Sequence, residues 1–270
     1  MLQIAIVVFR EVIEIAIIIS ILAVATRAVS KRTSWLVLGF LLGVSGAVAL
    51  AFATDFIGSA MNNLGQELFN GAILIITAVM IGYTVIWMKQ HSKNIGNKLR
   101  NISNKVLSGQ KPPKSLAIIV MLATLREGAE IVLFLYSSYL ADVPLEQLFL
   151  GFTAGLLAGT LVGFATYFGI IKAFGRYFFK ITTILLIFLS AGLIASGIGL
   201  WQDAEIIVPI VDPIFDLSLI LPQKSFFGQI LNNLFGYIDQ PSASQFIGYF
   251  ITVIFLTFAI KTIENNQKTS

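Results

Sequence analysis

The sequence predicts an all-α membrane protein: seven transmembrane helices in an inverted 3+3 repeat plus one extra helix, N-terminus outside and C-terminus cytoplasmic. Three observations lead there. The 270 residues are 57% hydrophobic and only 12% charged, against about 25% charged in a soluble domain. Seven apolar stretches approach or exceed the roughly 20 residues that cross a hydrocarbon core. The Lys and Arg residues gather in alternate connections between those stretches.

The same composition excludes other classes. Disorder requires low hydrophobicity. There is no cysteine and a single histidine, His91, so disulfides, thiolate sites, His-rich metal sites and a Ser-His-Asp triad are poor options. The net charge of +4 reads as loop charge that sets topology. No aromatic or motif pattern accompanies it, so nucleic acid is not an expected partner.

In chain order, the predicted spans are Leu2–Thr26, Ser34–Ile57, Glu67–Met88, Ser115–Leu140, Leu145–Ile171, Ile181–Leu200 and Ala243–Thr262. Span 1 begins at once, lacks a positive leading region and carries charges in its middle, so it reads as retained. The segment Ile206–Leu221 is apolar but short, and holds Pro209, Asp212, Pro213 and Asp216. It reads as an interfacial or re-entrant stretch. The chain then divides into spans 1–3 (1–90), a basic cytoplasmic loop (91–114), spans 4–6 (115–201), an outer loop (202–242), and span 7 with its tail (243–270).

Orientation follows from charge. Arg27, Lys31 and Arg32 follow span 1, seven lysines and arginines from Lys89 to Lys114 follow span 3, Lys172, Arg176 and Lys180 follow span 5, and Lys261 and Lys268 follow span 7. The alternate loops hold only Lys224. Positive charge stays cytoplasmic, which places the protein in a plasma or bacterial inner membrane, with its tail inside. The outer loops are acidic, with Asp142, Glu146, Asp203, Glu205, Asp212, Asp216 and Asp239. An anionic face of this kind concentrates cations. The inner basic loop is placed to touch anionic lipid.

Two spans carry charges where lipid would penalise them. Span 1 contains Arg10-Glu11-x-x-Glu14 and span 4 contains Arg126-Glu127-x-x-Glu130. Both motifs fall near the bilayer midplane. A charge at helix centre costs about 2.5–3.5 kcal/mol on insertion scales, so these six groups must face the bundle interior and one another. Glu11 and Glu14 are i,i+3 on one face, and Arg10 and Glu14 are i,i+4; the second motif repeats both spacings. Four carboxylates and two guanidiniums form a cage suited to a hard cation. Glu67, which opens span 3, and the loop acids Asp203 and Glu205 are candidates for a route in. Glu67 also reads as a helix-start acid stabilised by the dipole, and the loop acids as solvated charge.

The motifs belong to a longer repetition. Arg10, Glu11 and Glu14 recur 116 residues later. Gly39-Phe40-x-x-Gly43 and Phe52-Ala53-Thr54 recur 112 residues later as Gly151-Phe152-x-x-Gly155 and Phe164-Ala165-Thr166. A duplicated unit with three spans must be inverted in its second copy. Inverted repeats with a midplane site are a secondary-transporter signature.

On these residues the sequence resembles the oxidase-dependent iron transporter family, the high-affinity iron permeases of fungi and bacteria. That family has seven spans and an Arg-Glu-x-x-Glu motif in spans 1 and 4. The Gly favoured inside the motif is Gly128 in the second copy, while Val12 fills that place in the first. Glu67-Leu68-Phe69-Asn70-Gly71 resembles the family's Glu-x-Phe-Glu-Gly helix, with Asn70 where the second Glu is usual. Trp201-Gln202-Asp203-Ala204-Glu205 resembles its exit into an acidic loop. The resemblance implies iron as transported substrate, with Glu11, Glu14, Glu127 and Glu130 as ligands or relay sites. It implies no resident cofactor and no enzymatic reaction. The implied partner is an extracytoplasmic oxidase or iron-delivery protein.

The residues alone leave a second transporter reading open: a secondary transporter or channel for another divalent cation or for protons, since intramembrane Glu serves both. A membrane di-iron oxidoreductase is a poor option, because such sites generally use Glu-x-x-His and none is present.

Overall fold

A computed structural model describes residues 1–60, 63–141, 143–167 and 174–269. Asp142 and Lys172, named above for loop charge, lie outside the described residues, as does the end of the fifth predicted span. Among the described residues all regular structure is helical: α1 (Leu2–Ala25), α2 (Arg32–Ala60), α3 (Asn63–Leu107), α4 (Lys114–Leu140), α5 (Leu145–Tyr167), α6 (Phe174–Asp203), α7 (Phe226–Phe235) and α8 (Ala243–Thr269). Five helical stretches are long and apolar enough to cross a membrane: Arg32–Gly58, Gly65–Gln90, Leu145–Ala165, Lys180–Asp203 and Ala243–Asn265. Their outer faces carry large apolar side chains in the open, such as Phe52, Phe56, Leu157, Leu161, Phe164, Ile254 and Phe258. Such a surface suits hydrocarbon and not water. The protein is a multi-pass membrane protein.

The chain forms two compact units. The first comprises Met1–Thr54, His91–Tyr136 and Val143–Phe178. Its two helix seams are built on glycine. Along α5, Gly151, Gly155, Gly159 and Gly163 lie against Ile4, Ala5 with Val8, Val12, and Ala16 of α1. Along α2, Gly39, Gly43 and Gly46 lie against Ala117, Met121 with Thr124, and Leu125 of α4, while Ala47 lies against Gly128. Cβ atoms built on these glycines fall within 3 Å of their neighbours, and at all but Gly46, which meets only the end of the Leu125 side chain, the neighbour is backbone or a β-carbon that cannot move aside without parting the helices. Small residues give close approach and dispersion contact where lipid offers no hydrophobic drive.

The basic connection after the third predicted span is largely helical. α3 continues as helix through the basic segment to Leu107, 45 residues in all, about 67 Å at 1.5 Å per residue. The reason is an amphipathic stripe. Leu99, Ser103 and Val106 are buried at i, i+4 and i+7. Leu99 and Val106 pack with Leu22 of α1, Leu36 of α2, and Leu116 and Val120 of α4. Lys98 and Lys105 stay exposed. The end of α1 is closed by Arg32, whose Nη1 donates to Ala23 O at 2.8 Å, a basic group on the terminal carbonyls as the helix dipole favours.

The second unit comprises Asp55–Gln90, Ser137–Asp142 and Phe179–Ser270. Gly71 and Gly197 hold α3 and α6 together, the first against the Trp201 ring, the second against Ile75. Ser190 Oγ donates to Ala78 O at 2.8 Å, and Trp201 Nε1 to Leu68 O at 3.1 Å. Lys89 pairs with Glu264 of α8. Ile206–Leu221, read above as interfacial or re-entrant, forms no helix; the backbone of this segment bonds to 239–243, through Ile214 N to Pro241 O, Leu217 N to Asp239 O and Ala243 N to Val211 O. α7 follows, capped by Ser225 at its start, where Oγ accepts from Gly228 N, and by Gly236 at φ +68° at its end. That left-handed glycine is needed twice, because its backbone also touches Gly192 of α6.

A buried carboxylate cluster in the first unit

α1 and α4 each bring one motif into the first unit. Placed side by side with α5 and α2 by the glycine seams, they turn their charged faces inward. Arg10, Glu11, Glu14, Glu127 and Glu130 are each at most 9% exposed. Carboxylate oxygens of Glu11, Glu14 and Glu127 all lie within 4.8 Å of one another. Three of the four motif glutamates therefore meet, two from α1 and one from α4.

The two arginines differ. Arg10 spans both acids of its own motif, with Nη1 at 3.2 Å from Glu11 Oε1 and Nη2 at 3.0 Å from Glu14 Oε1. Arg126 turns toward the fourth carboxylate: its Nε is 3.3 Å from Glu130 Oε1 and 3.9 Å from Glu127 Oε1. Its side chain is 32% exposed against 4% for Arg10. Glu127, 3.9 Å from Arg126 Nε, is thus the least closely paired of the four. The buried Oε2 atoms of Glu11 and Glu127 have no hydrogen-bond partner. Burying an uncompensated carboxylate oxygen is costly, and two of them in one cluster leave coordination capacity for a cation.

One buried polar atom here was not singled out from the sequence. Thr124 Oγ1 lies one turn before Glu127 on α4, is buried, and has no hydrogen-bond partner. The i,i+3 spacing to Glu127 was its only signal. Gly128 has a packing reason: a Cβ there falls 2.7 Å from Ala47 Cβ on α2.

The expected route in lies in the second unit. The Trp201–Leu68 hydrogen bond puts the start of the α3 span and the end of α6 at one end of that unit, so Glu67 and Asp203 share it. Both are exposed, as is Glu205, held at φ +57°. None of the three joins the carboxylate cluster group. Asp216 accepts from Ser218 N at 2.8 Å, and Ser218 holds its carboxyl below the ordinary range. Asn70 is half-buried, and its Oδ1 has no hydrogen-bond partner.

Comparison with known proteins follows the same lines. Residues 1–263 match the Iron permease FTR1 family. Ferrous iron permease EfeU of Yersinia pestis is 34% identical over 251 residues, covering 91% of this chain and 88% of the relative. EfeU of Escherichia coli is 31% identical over 253 residues, with 92% and 91% covered, and EfeU of Shigella sonnei 30% over 249 residues, with 91% and 90%. No solved structure matches. A whole-chain family match, close coverage of relatives and an apolar multi-pass fold agree: the chain belongs to the iron permease FTR1 family, a transporter whose substrate is iron and not an enzyme.

Proposed function

We propose that iron crosses the membrane at Glu11, Glu14, Glu127 and Glu130, and that the ion carried is ferrous. The observation that carries this is the meeting of three buried carboxylates from two helices, with donor-free oxygens on Glu11 and Glu127. Charge favours a divalent ion: four carboxylates and two guanidiniums sum to −2 when ionised, so Fe²⁺ brings a water-poor site to neutrality. The relatives' own names specify ferrous iron.

The seven-span reading adds α1 and α4 to the five stretches that are free of such charge clusters. At 24 and 27 residues they are about 36 and 40 Å long, enough for a core of about 30 Å. Their three mid-length charges each are what set them apart. The seams support an inverted repeat. Gly39, Gly43 and Ala47 of α2 meet residues 117, 121 with 124, and 128 of α4; Gly151, Gly155 and Gly159 of α5 meet residues 1, 5 with 8, and 12 of α1. The α2 positions plus 112 are the α5 positions, and the α1 positions plus 116 are the α4 positions, so the two seams make the same contacts. Two motifs brought together this way approach from opposite sides, as alternating access requires.

In this mechanism a cation is drawn to the acidic outer face, past Glu67, Asp203 and Glu205, and exchanges water for carboxylate oxygens at the cluster. Arg10 and Arg126 hold the empty carboxylates in place and yield part of that contact to the metal. The two repeats then rock to open the site inward. An extracytoplasmic iron-delivery protein supplies the ferrous ion; an oxidase partner belongs to the ferric alternative.

The test is radioactive iron uptake in cells lacking their own high-affinity system, comparing the natural chain with Glu127→Ala. A ferrous-specific chelator and excess Mn²⁺ form two further arms. Uptake that needs Glu127, is blocked by the chelator and resists Mn²⁺ is the expected result. Undiminished uptake by Glu127→Ala sinks the site. Equal competition by Mn²⁺ makes it a general divalent-cation path.

A further inference from the structure

A cavity of about 510 Å³ opens in the first unit between α1 and the helical extension of α3, lined by Ile17, Ser20, Ile21 and Val24 on one side and Arg100 and Asn104 on the other. Its place on α1 is specific. Arg10, Ile17 and Val24 are spaced i, i+7, i+14, and Glu14 and Ile21 are i, i+7. At 3.6 residues per turn, each row advances by about 20° per step. The cavity thus continues the charged face of α1, starting one turn beyond Glu14. The opposite wall is equally regular. Leu99, Ser103 and Val106 bury the neighbouring stripe of α3, which fixes Arg100 and Asn104 (i, i+4) at the cavity, both exposed at its opening. Arg27, Lys31 and Arg32 follow α1 at the same end, the end that charge bias assigns to the cytoplasm.

We propose that this cavity is the cytoplasmic vestibule of the iron path and that Arg100 is its charge filter. The proposal rests on the carboxylate cluster being the transport site. Cytosol holds other cations in large excess over free iron, and a net −2 site facing them fills with the wrong ion. A fixed guanidinium at the mouth lowers the local concentration of every cation arriving from inside, as the acidic outer loops raise it on the other side. Ser20 and Asn104 offer oxygens to a departing hydrated ion, and Ile17 and Ile21 give the cavity an apolar wall one to two turns beyond Glu14 on α1. Arg100 thereby limits back-filling of the site by cytosolic cations without being a metal ligand.

The chain's lack of cysteine makes a direct test available. Ser20→Cys is introduced alone, with Val24→Cys as a second position. Membrane-impermeant methanethiosulfonates of opposite charge are applied to inside-out and right-side-out vesicles. Both cysteines are expected to react from the cytoplasmic side only, the anionic reagent faster than the cationic. Arg100→Glu is expected to shift that rate ratio toward the cationic reagent by roughly tenfold or more, as a two-unit change of charge beside the thiol requires, and Arg100→Gln by an intermediate amount. Reaction only from the outside overturns the proposal. So does a ratio indifferent to Arg100, or no reaction from either side, the result expected if a lipid chain fills the cavity. Iron uptake by Glu127→Ala is measured separately. Loss of the site reading appears there and leaves the thiol ratio unchanged, so the two failures are told apart.

Discussion

Gly128 sits inside the second motif, between two glutamates, and faces Ala47 across the α2–α4 seam. A Cβ on residue 128 falls 2.7 Å from Ala47 Cβ, where carbon atoms prefer about 3.5–4.0 Å. Both atoms are fixed to backbone, so no rotamer relieves the clash. Gly128→Val must part α2 and α4 by about 1 Å at this level, and more for its two methyl groups. Overpacking of this kind costs about 1–3 kcal/mol; the better helix propensity of Val returns only a few tenths. Glu127 moves with its helix, and a 1 Å shift is a large fraction of the 4.8 Å within which its oxygen meets those of Glu11 and Glu14. Iron uptake per inserted molecule is expected to fall about tenfold or more, with thermal stability in detergent reduced. Adding Ala47→Gly removes the opposing Cβ. It rebuilds on α2–α4 the pairing that α1–α5 already has, Val12 against Gly159. The double variant is expected to recover most uptake, with a coupling of at least about 1 kcal/mol, although Ala47→Gly alone costs about 0.5–1 kcal/mol in helix stability. The reasoning fails if Gly128→Val transports normally, or if the two substitutions merely add.

Three further outcomes are expected. Glu14→Gln with Glu130→Gln leaves the protein inserted and abolishes iron uptake; normal transport by this pair would remove the cage as the carrier of function. Gly155→Val, whose Cβ falls 2.6 Å from Ala5 O and 2.8 Å from Val8 Cβ, opens the α1–α5 seam and lowers the yield of monodisperse protein on size exclusion, whereas an unchanged yield means the seam is not tightly packed. Trp201→Phe removes the hydrogen bond to Leu68 O, costs about 0.5–1.5 kcal/mol, and is read as a lower unfolding midpoint with the iron site untouched.

The sequence disclosed the site because charge in an apolar helix is conspicuous: six ionised groups in two otherwise hydrophobic spans admit few explanations but one another. It disclosed the glycine seams because small residues recur at four-residue spacing. It did not disclose how the charges divide. Arg10 and Arg126 stand at the same spacing from their glutamates, yet one is shared between two acids and the other turns to Glu130. That choice depends on what packs around each guanidinium, which spacing does not encode. The helical character of the basic connection was not legible, because seven basic residues outweigh the three-residue stripe of Leu99, Ser103 and Val106. The stripe gains its meaning only from Leu22, Leu116 and Val120, distant in sequence. The cavity beside Arg100 was invisible for the same reason, since its walls come from two helices about 80 residues apart.

The contrast between Val12 and Gly128 carries the same lesson one step further. Within the motifs it reads as a departure of the first copy from the family's preferred glycine. Across the seams it is a compensation: Val12 faces Gly159, and Gly128 faces Ala47. What each level of the seam conserves is the room for one larger side chain between two backbones, not the identity of either residue. A glutamate pair can be held at one geometry by either distribution of bulk. The motif is therefore a unit of four helix positions plus one on the partner helix, and a substitution inside it is predictable only when that fifth residue is counted.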